Sequence, residues 1–234
     1  MKSMPVFISI AFLLLFGSMH NAAVRAYGKP AGTIDSWETI VDPDQDCEFV
    51  LNDKKLSINV PGTNHDLTTT GGQKAPRALK RVSSDFTVQV KVTADFKPGM
   101  TAVGNTRPYN GAGIVIWQNE QNFLRVERNA YWLDPQTLFC YPPLIAYWNN
   151  NSEVGEINSN PTNAEFFKGK STWLRANRQG SNVTVSISHD GKNWAEIKKF
   201  QVQLADQLFV GVAAVNTSGS PFRVEFEEFT IKAR

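Results

Sequence analysis

The chain has 234 residues, with 24 Lys or Arg against 22 Asp or Glu. Lys2 and Arg25 lie in an N-terminal segment that is predicted to be removed, which leaves 22 basic and 22 acidic residues and no net charge. This balance argues against strong non-specific attraction to nucleic acid or to anionic lipid. The two cysteines are too few for a thiolate metal cluster.

The first 26 residues are typical of a secretory signal peptide. Lys2 provides a positive start, an apolar run follows at 6–16, and Val24-Arg25-Ala26 provides a cleavage site. The apolar run is shorter than the roughly 20 residues that a transmembrane helix needs, and no later run approaches that length. We therefore predict a secreted or periplasmic protein without a membrane span, whose residues 27–234 form a single domain.

Alternation of apolar and polar residues dominates the rest of the chain. In DFTVQVKVTADF, the apolar side chains from Phe86 to Ala94 fall on one parity, as expected for a half-buried strand. Similar runs predict strands at 55–60, 113–117, 122–128, 171–178, 182–188, 209–215 and 222–232. Many short strands joined by turns predict an all-β sandwich or jelly roll. The stretches 61–76 and 129–170 break this pattern and are predicted to be long functional loops.

The stretch GAGIVIWQNEQNFLRVER (111–128) predicts a hairpin with a five-residue turn. In that register Trp117 lies opposite Phe123, and Arg125 and Glu127 share their face, away from the apolar core. Flat apolar rings beside a few directed polar groups are typical of a small-ligand site. The alternative is a solvated face with ordinary cross-strand pairs.

The strand STWLRANR (171–178) repeats this design with Trp173 and Arg175 on one parity. Aromatic rings stack on the C–H faces of sugars, and arginine donates directed hydrogen bonds to hydroxyl groups. The two strands together therefore predict a carbohydrate-binding face.

The loop VPGTNHDL (60–67) places His65 beside Asp66. A histidine near a carboxylate can act in acid–base chemistry or bind a ligand hydroxyl. Asp66 can instead accept hydrogen bonds from its own backbone in a turn.

Alternating carboxylates at Asp42, Asp44 and Asp46 resemble a calcium loop and suggest a structural calcium site. The pattern is incomplete, because Cys47 occupies the glycine position and Asp53 replaces the usual glutamate. An acidic surface turn is the alternative. No other cofactor is expected.

The cysteines Cys47 and Cys140 are expected to form a disulfide in an exported protein, with two separate buried thiols as the alternative. Cys140 lies in a stretch (128–151) that is rich in aromatic residues. Such rings, with Tyr147 among them, either wall a carbohydrate cleft or pack the loop against the fold.

No catalytic motif is complete. The chain lacks GxSxG and HExxH, and it lacks the Glu-x-Asp-x-x-Glu strand of laminarinase-type sandwiches. Glu127, Asp66 and His65 remain candidates for acid–base work, so hydrolysis stays open.

The order and spacing of WETIVDPDQDCEF, VPGTNHDL, DFTVQVKV, NGAGIVIWQNEQNFLRVER, STWLRANRQG, SHDGKNW and FRVEFEEF resemble a family of concanavalin A-like lectin/glucanase-type domains of unassigned function, sometimes labelled regulation-of-enolase type. The resemblance implies a jelly-roll sandwich of two antiparallel sheets whose concave face often holds a carbohydrate. It places these candidates on or beside that face: Trp117, Arg125, Glu127, Trp173, Arg175 and His65.

The function predicted from all these features is carbohydrate binding without catalysis. A more distant resemblance to hydrolases of keto-sugar disaccharides supports an alternative, a glycoside hydrolase acting on a glucan or a small disaccharide. A protein-interaction or structural sandwich without a sugar site is the second alternative.

Overall fold

A computed structural model describes residues 37–104, 107–158 and 169–233, and the predicted signal segment lies outside these ranges. Within them the chain forms sixteen strands and no helix, so no helix there is long and apolar enough to cross a bilayer. The strands are β1 (Thr39–Val41), β2 (Glu48–Asn52), β3 (Lys55–Val60), β4 (Leu67–Thr68), β5 (Gly72–Gln73), β6 (Arg77–Ser83), β7 (Phe86–Ala94), β8 (Tyr109–Asn119), β9 (Asn122–Asp134), β10 (Thr137–Asn149), β11 (Ser152–Asn158), β12 (Ser171–Gln179), β13 (Asn182–Ser188), β14 (Ala195–Gln201), β15 (Gln207–Asn216) and β16 (Phe222–Ala233).

Two seven-stranded antiparallel sheets make up the fold. The first sheet has the order β1-β6-β15-β8-β9-β10-β11, and the second has the order β14-β13-β12-β7-β16-β3-β2. A small ribbon, β4-β5, lies apart from both. The predicted all-β, jelly-roll sandwich of two antiparallel sheets is therefore confirmed.

The core lies between the two sheets and follows the predicted alternation. In β7, Phe86, Val88 and Val90 are fully buried and face inward, while the residues between them are half-exposed. From the first sheet, Ile114 and Leu124 join the same apolar cluster. Period-two patterning thus fixes which face of each strand is buried.

The prediction of a long loop at 129–170 was wrong for its described part. β9, β10 and β11 instead form consecutive antiparallel hairpins that widen the first sheet. The pairing of β10 with β9 shifts register between Tyr141 and Leu144, around two prolines. Proline has no backbone N–H to donate to a neighbouring strand and is tolerated at such an irregularity. The two prolines are therefore the reason that the sequence pattern did not predict β10.

The first sheet is buried on both faces around its centre. Its outer face, the one turned away from the second sheet, carries a second apolar cluster that includes Val115, Phe123 and Trp148. Leu67 and Ala75 complete this cluster from segment 61–76, which covers part of the outer face. This cover explains why seven consecutive residues of β8 and nine of β9 are buried.

Candidate functional site

The hairpin of β8 and β9 sets the register of the site. Trp117 pairs with Phe123, as predicted, although Asn119 pairs with Asn122 and the turn is therefore shorter than five residues. On the outer face, the Phe123 ring lies 4.9 Å from the Trp117 ring and 4.5 Å from the Trp148 ring, measured between centroids. Phe123 is fully buried, so it supports the site from below.

A buried polar cluster lies beside these rings. Arg125 and Glu127 are 5% and 3% exposed and form an ion pair through Arg125 Nη2 and Glu127 Oε1. The Tyr109 hydroxyl donates to the same carboxylate oxygen at 2.7 Å. Arg125 Nη1 donates to the Leu67 carbonyl oxygen at 2.7 Å, which ties segment 61–76 to the sheet.

Burial controls the protonation of this cluster. It raises the pKa of Glu127, although the Arg125 charge and the Tyr109 hydroxyl act in the opposite direction. Burial, reinforced by the Glu127 charge, also raises the pKa of Tyr109 well above its ordinary value, so its hydroxyl remains a donor. Gly111 makes room for this contact, because an added Cβ would lie 2.6 Å from both Glu127 Oε2 and the Tyr109 hydroxyl.

Asp66 organises segment 61–76. Its Oδ1 accepts from the Leu67 backbone N–H at 2.7 Å, and its Oδ2 accepts from the Thr68 hydroxyl at 2.8 Å. Its backbone carbonyl accepts from the N–H groups of Lys74 and Ala75. Asp66 therefore stabilises its own turn, the alternative considered from sequence, and at 5% exposure it still reaches the surface of a cleft.

That cleft has a volume of about 400 Å³ and opens on the outer face of the first sheet. Its wall combines aromatic and polar residues, namely Tyr109, Tyr131, Trp148, Asp66, Arg107 and Arg125. The Arg107 guanidinium lies 5.5 Å from the Tyr131 ring centroid, and the Arg125 guanidinium lies 5.6 Å from that of Trp148. Glu153, an exposed carboxylate, lines the same cleft.

Two of the predicted site residues, Arg125 and Asp66, line this cleft, whereas Phe123 and Glu127 lie beneath it. Trp117 shares the outer face but does not line the cleft. The Arg77 guanidinium lies 4.4 Å from the Trp117 ring centroid and covers one side of it.

The prediction that Trp173 and Arg175 share this face was wrong. Their strand, β12, pairs with β7 and β13 and belongs to the second sheet. Leu174, between them, packs in the core, so both residues face outward on the opposite side of the sandwich. There the Arg175 guanidinium lies 3.5 Å from the Trp194 ring centroid. The shared aromatic-plus-arginine pattern therefore lies on the outer face of each sheet, buried in β9 and half-exposed in β12.

Tyr147 and His65 also lie outside the cleft. Tyr147 belongs to the core cluster between the sheets, and its hydroxyl accepts from the Gln203 backbone N–H at 2.7 Å. Its neighbour Trp148 takes the outer face instead. His65 is fully buried, and its Nε2 lies 2.8 Å from Asp46 Oδ1.

The three predicted calcium ligands do not form one site. The Asp42 carboxylate accepts from the Cys47 backbone N–H at 3.0 Å, and Asp44 pairs with Lys74 at 2.9 Å. In the described ranges, the group of His, Cys, Asp or Glu side chains that comes together is Asp46, Cys47 and His65.

The predicted disulfide is not formed. Cys47 and Cys140 are both free, half-buried thiols, which matches the alternative drawn from the sequence. Each packs against the edge of the core between the sheets.

Tyr109 and Arg107 were not predicted as site residues. Tyr131 and Trp148 belong to the aromatic-rich stretch, which was interpreted as a loop whose rings either wall a cleft or pack against the fold, and both line the cleft. Tyr109 begins β8 on the same parity as Val115 and Trp117, so extending the strand pattern toward the N-terminus would have found it.

Two seven-stranded antiparallel sheets in a jelly-roll sandwich define a concanavalin A-like fold, as the sequence resemblance implied. The sequence profile of a family described as "Protein of unknown function (DUF1349)" matches residues 158–234, about a third of the chain. No curated protein matches the chain.

Solved structures are similar in fold. A functionally unknown protein from Saccharomyces cerevisiae superposes with a TM-score of 0.65 at 18% identity, covering 85% of this chain and 97% of that one. The GH43 protein BlXynB from Bacillus licheniformis gives 0.50 at 16% identity, covering 77% and 33% of the two chains. Xylan beta-1,4-xylosidase from Bacillus halodurans C-125 gives 0.50 at 15% identity, covering 83% and 39%. The chain thus spans well under half the length of either Bacillus protein, and at these identities the likeness concerns the fold alone.

Proposed function

We propose that the protein is an exported concanavalin A-like domain that binds carbohydrate, without catalysis, in the cleft on the outer face of its first sheet. The observation that carries this proposal is the composition of the cleft wall. Aromatic rings lie beside a buried arginine and a buried carboxylate, in a cavity within the usual size range of small-molecule sites.

The rings and polar groups have distinct roles in this proposal. Tyr131 is half-buried and lines the cleft, where its ring stacks with Phe139 at 5.5 Å between centroids and lies 5.5 Å from the Arg107 guanidinium. Trp148, only 2% exposed, closes the base of the cleft. Arg125 is fixed by its bonds to Glu127 and Leu67, and it lines the cleft. A guanidinium held in place in this way suits a sugar hydroxyl, because its charged N–H groups donate strong, directed hydrogen bonds.

The arrangement of the carboxylates supports binding rather than hydrolysis. A glycoside hydrolase of the usual kind needs one carboxyl that gives a proton and a second that attacks or activates water. Glu127 accepts from both Arg125 and Tyr109, and both Asp66 oxygens accept from its own turn. The hydrolase alternative drawn from the sequence rests on Glu127, Asp66 and His65. In the cleft, Asp66 is instead accompanied by Glu153, so these two carboxylates would have to carry the reaction.

A glycan array probed with the purified protein tests the proposal. We expect binding to a restricted group of glycans and no release of reducing sugar from them. A well-folded sample that binds no glycan would contradict the proposal. Sugar release that is abolished in Glu153→Gln and Asp66→Asn would establish the hydrolase instead.

Export rests on the signal-like segment at 1–26. N-terminal sequencing of the protein recovered from the extracytoplasmic fraction is expected to begin at Tyr27. Recovery of the uncleaved chain from the cytoplasm would contradict this part of the proposal.

A further inference from the structure

We propose that Asp46, Cys47 and His65 bind a divalent transition-metal ion of the Zn²⁺ class. This site is separate from the carbohydrate cleft, and the inference does not depend on the proposed function. Asp46 and Cys47 end the connection between β1 and β2, and His65 lies in segment 61–76.

The three ligand atoms are close enough to share one ion. Asp46 Oδ1, Cys47 Sγ and His65 Nε2 all lie within 4.8 Å of one another. Ligand atoms at roughly 2.0–2.3 Å from a tetrahedral ion lie about 3.3–3.7 Å apart. The Cys47–Asp46 separation is 3.7 Å, and the His65–Asp46 separation is 2.8 Å. The Asp46 side chain, 39% exposed, can therefore admit the ion by moving about half an ångström.

The surroundings of His65 suit a metal ligand. The ring is fully buried, and its Nδ1 lies 3.2 Å from the Thr63 carbonyl oxygen. When Nδ1–H donates to that carbonyl, the lone pair of Nε2 faces Asp46 and Cys47. Metal-ligating histidines almost always donate their second ring nitrogen in this way. In the metal-free protein, Nε2–H donates to Asp46 instead.

The charge around the group also favours a cation. The Asp42 carboxylate holds the Cys47 backbone N–H through one oxygen, and its other oxygen is buried without a hydrogen-bond partner. The neighbouring cation Lys74 is already paired with Asp44. A buried carboxylate oxygen without a partner is costly, and a nearby cation would stabilise it.

The types of donor atom indicate which class of metal would bind. A thiolate, an imidazole and a carboxylate suit zinc and its transition-metal neighbours, whereas calcium and magnesium prefer sets made only of oxygen. With three protein ligands, a tetrahedral ion has one remaining position for water or for the nearby Asp42 carboxylate.

A metal here would join the two sheets. Cys47 lies directly before β2, the edge strand of the second sheet. His65 exchanges backbone hydrogen bonds with Asn216, the last residue of β15 in the first sheet, at 2.8 and 3.2 Å. We therefore expect the ion to be structural and to anchor segment 61–76.

Zinc titration of the purified, chelator-treated protein, prepared without a histidine tag, tests the site. Calorimetry should show one zinc ion bound per chain, and zinc at about 100 times its Kd should raise the Tm by about 5–10 °C. Cobalt(II) provides a second readout, since thiolate ligation gives a charge-transfer band in the near ultraviolet.

Matched variants separate this site from adventitious binding. Cys47→Ser and Asp46→Asn should abolish the cobalt band and the Tm shift, and neither removes a fully buried side chain. Cys140→Ser and His189→Gln, which alter a cysteine and a histidine outside the group, should retain both effects. Failure of the wild-type protein to bind zinc, or unchanged binding in Cys47→Ser and Asp46→Asn, would overturn the proposal.

Discussion

Replacing Arg125 with methionine tests whether the buried polar cluster holds the cleft together. Methionine has a similar length but carries no charge, so the change removes the partner of Glu127 and the donor to the Leu67 carbonyl. Glu127, 3% exposed, would keep only the Tyr109 hydroxyl as its hydrogen-bond partner in the cluster.

The expected loss of unfolding free energy in Arg125→Met follows from the burial of Glu127. Removing one partner of a buried ion pair costs about 3–5 kcal/mol, because the other charge stays in a low-dielectric environment. For a domain of this size, each kcal/mol lowers the Tm by about 2–4 °C, so the Tm should fall by roughly 6–20 °C.

The loss of stability in Arg125→Met should also depend on pH. Burial already raises the pKa of Glu127, and Arg125 acts to lower it, so loss of Arg125 raises that pKa further. A carboxyl whose folded-state pKa lies above its unfolded value, about 4.3, destabilises the fold as pH rises between the two. The variant should therefore differ least from the wild type near pH 4 and most at neutral pH.

Urea unfolding at several pH values measures both effects. Arg175→Met is the matched control, because Arg175 follows an aromatic residue in the same sequence pattern but lies half-exposed on the second sheet. We expect it to cost about 1 kcal/mol or less. Equal costs for the two variants, or a deficit at Arg125 that does not change with pH, would refute the reasoning.

Two further predictions concern other parts of the fold. Gly111→Ala should cost about 1–3 kcal/mol in urea unfolding, because its Cβ would collide with the Glu127 carboxylate. Gly169→Ala should change stability little, because its Cβ would meet the Ser171 backbone nitrogen at 3.9 Å, an ordinary van der Waals contact. A cost at Gly169 equal to that at Gly111 would contradict this packing. The backbone N–H groups of Asn193 and Lys192 hold the pKa of Asp190 well below its usual range. The stabilisation from this hydrogen-bonded turn is therefore present above about pH 4 and is lost as pH falls through the lowered pKa. An NMR titration of the Asp190 carboxyl with a midpoint near its ordinary value would exclude this pH-dependent stabilisation.

Local patterns predicted eight of the sixteen described strands and one register. Trp117 pairs with Phe123 as predicted, because a hairpin brings adjacent strands together and the period of two then fixes the faces. β3, β7 and β13 have the predicted boundaries for the same reason.

The composition of the site depended on non-local choices that no local pattern contains. Trp173 and Arg175 lie on an outward face, as their parity required, but pairing with β7 places them in the second sheet. Tyr147 and Trp148 are neighbours in a strand interrupted by two prolines, so the sequence did not show which ring faces out. The burial of Arg125 likewise depends on Leu67, which is 58 residues away in the chain.

The central claim is that sugar binds at the outer face of the first sheet, and calorimetric titration of a glycan selected by the array tests it most directly. Tyr131→Ala, which removes a ring from the cleft wall, should weaken binding about tenfold or more. Trp173→Ala, which removes a ring from the opposite face of the sandwich, should leave the Kd unchanged. Unchanged affinity in Tyr131→Ala together with loss of binding in Trp173→Ala would contradict the claim and place the sugar on the second sheet.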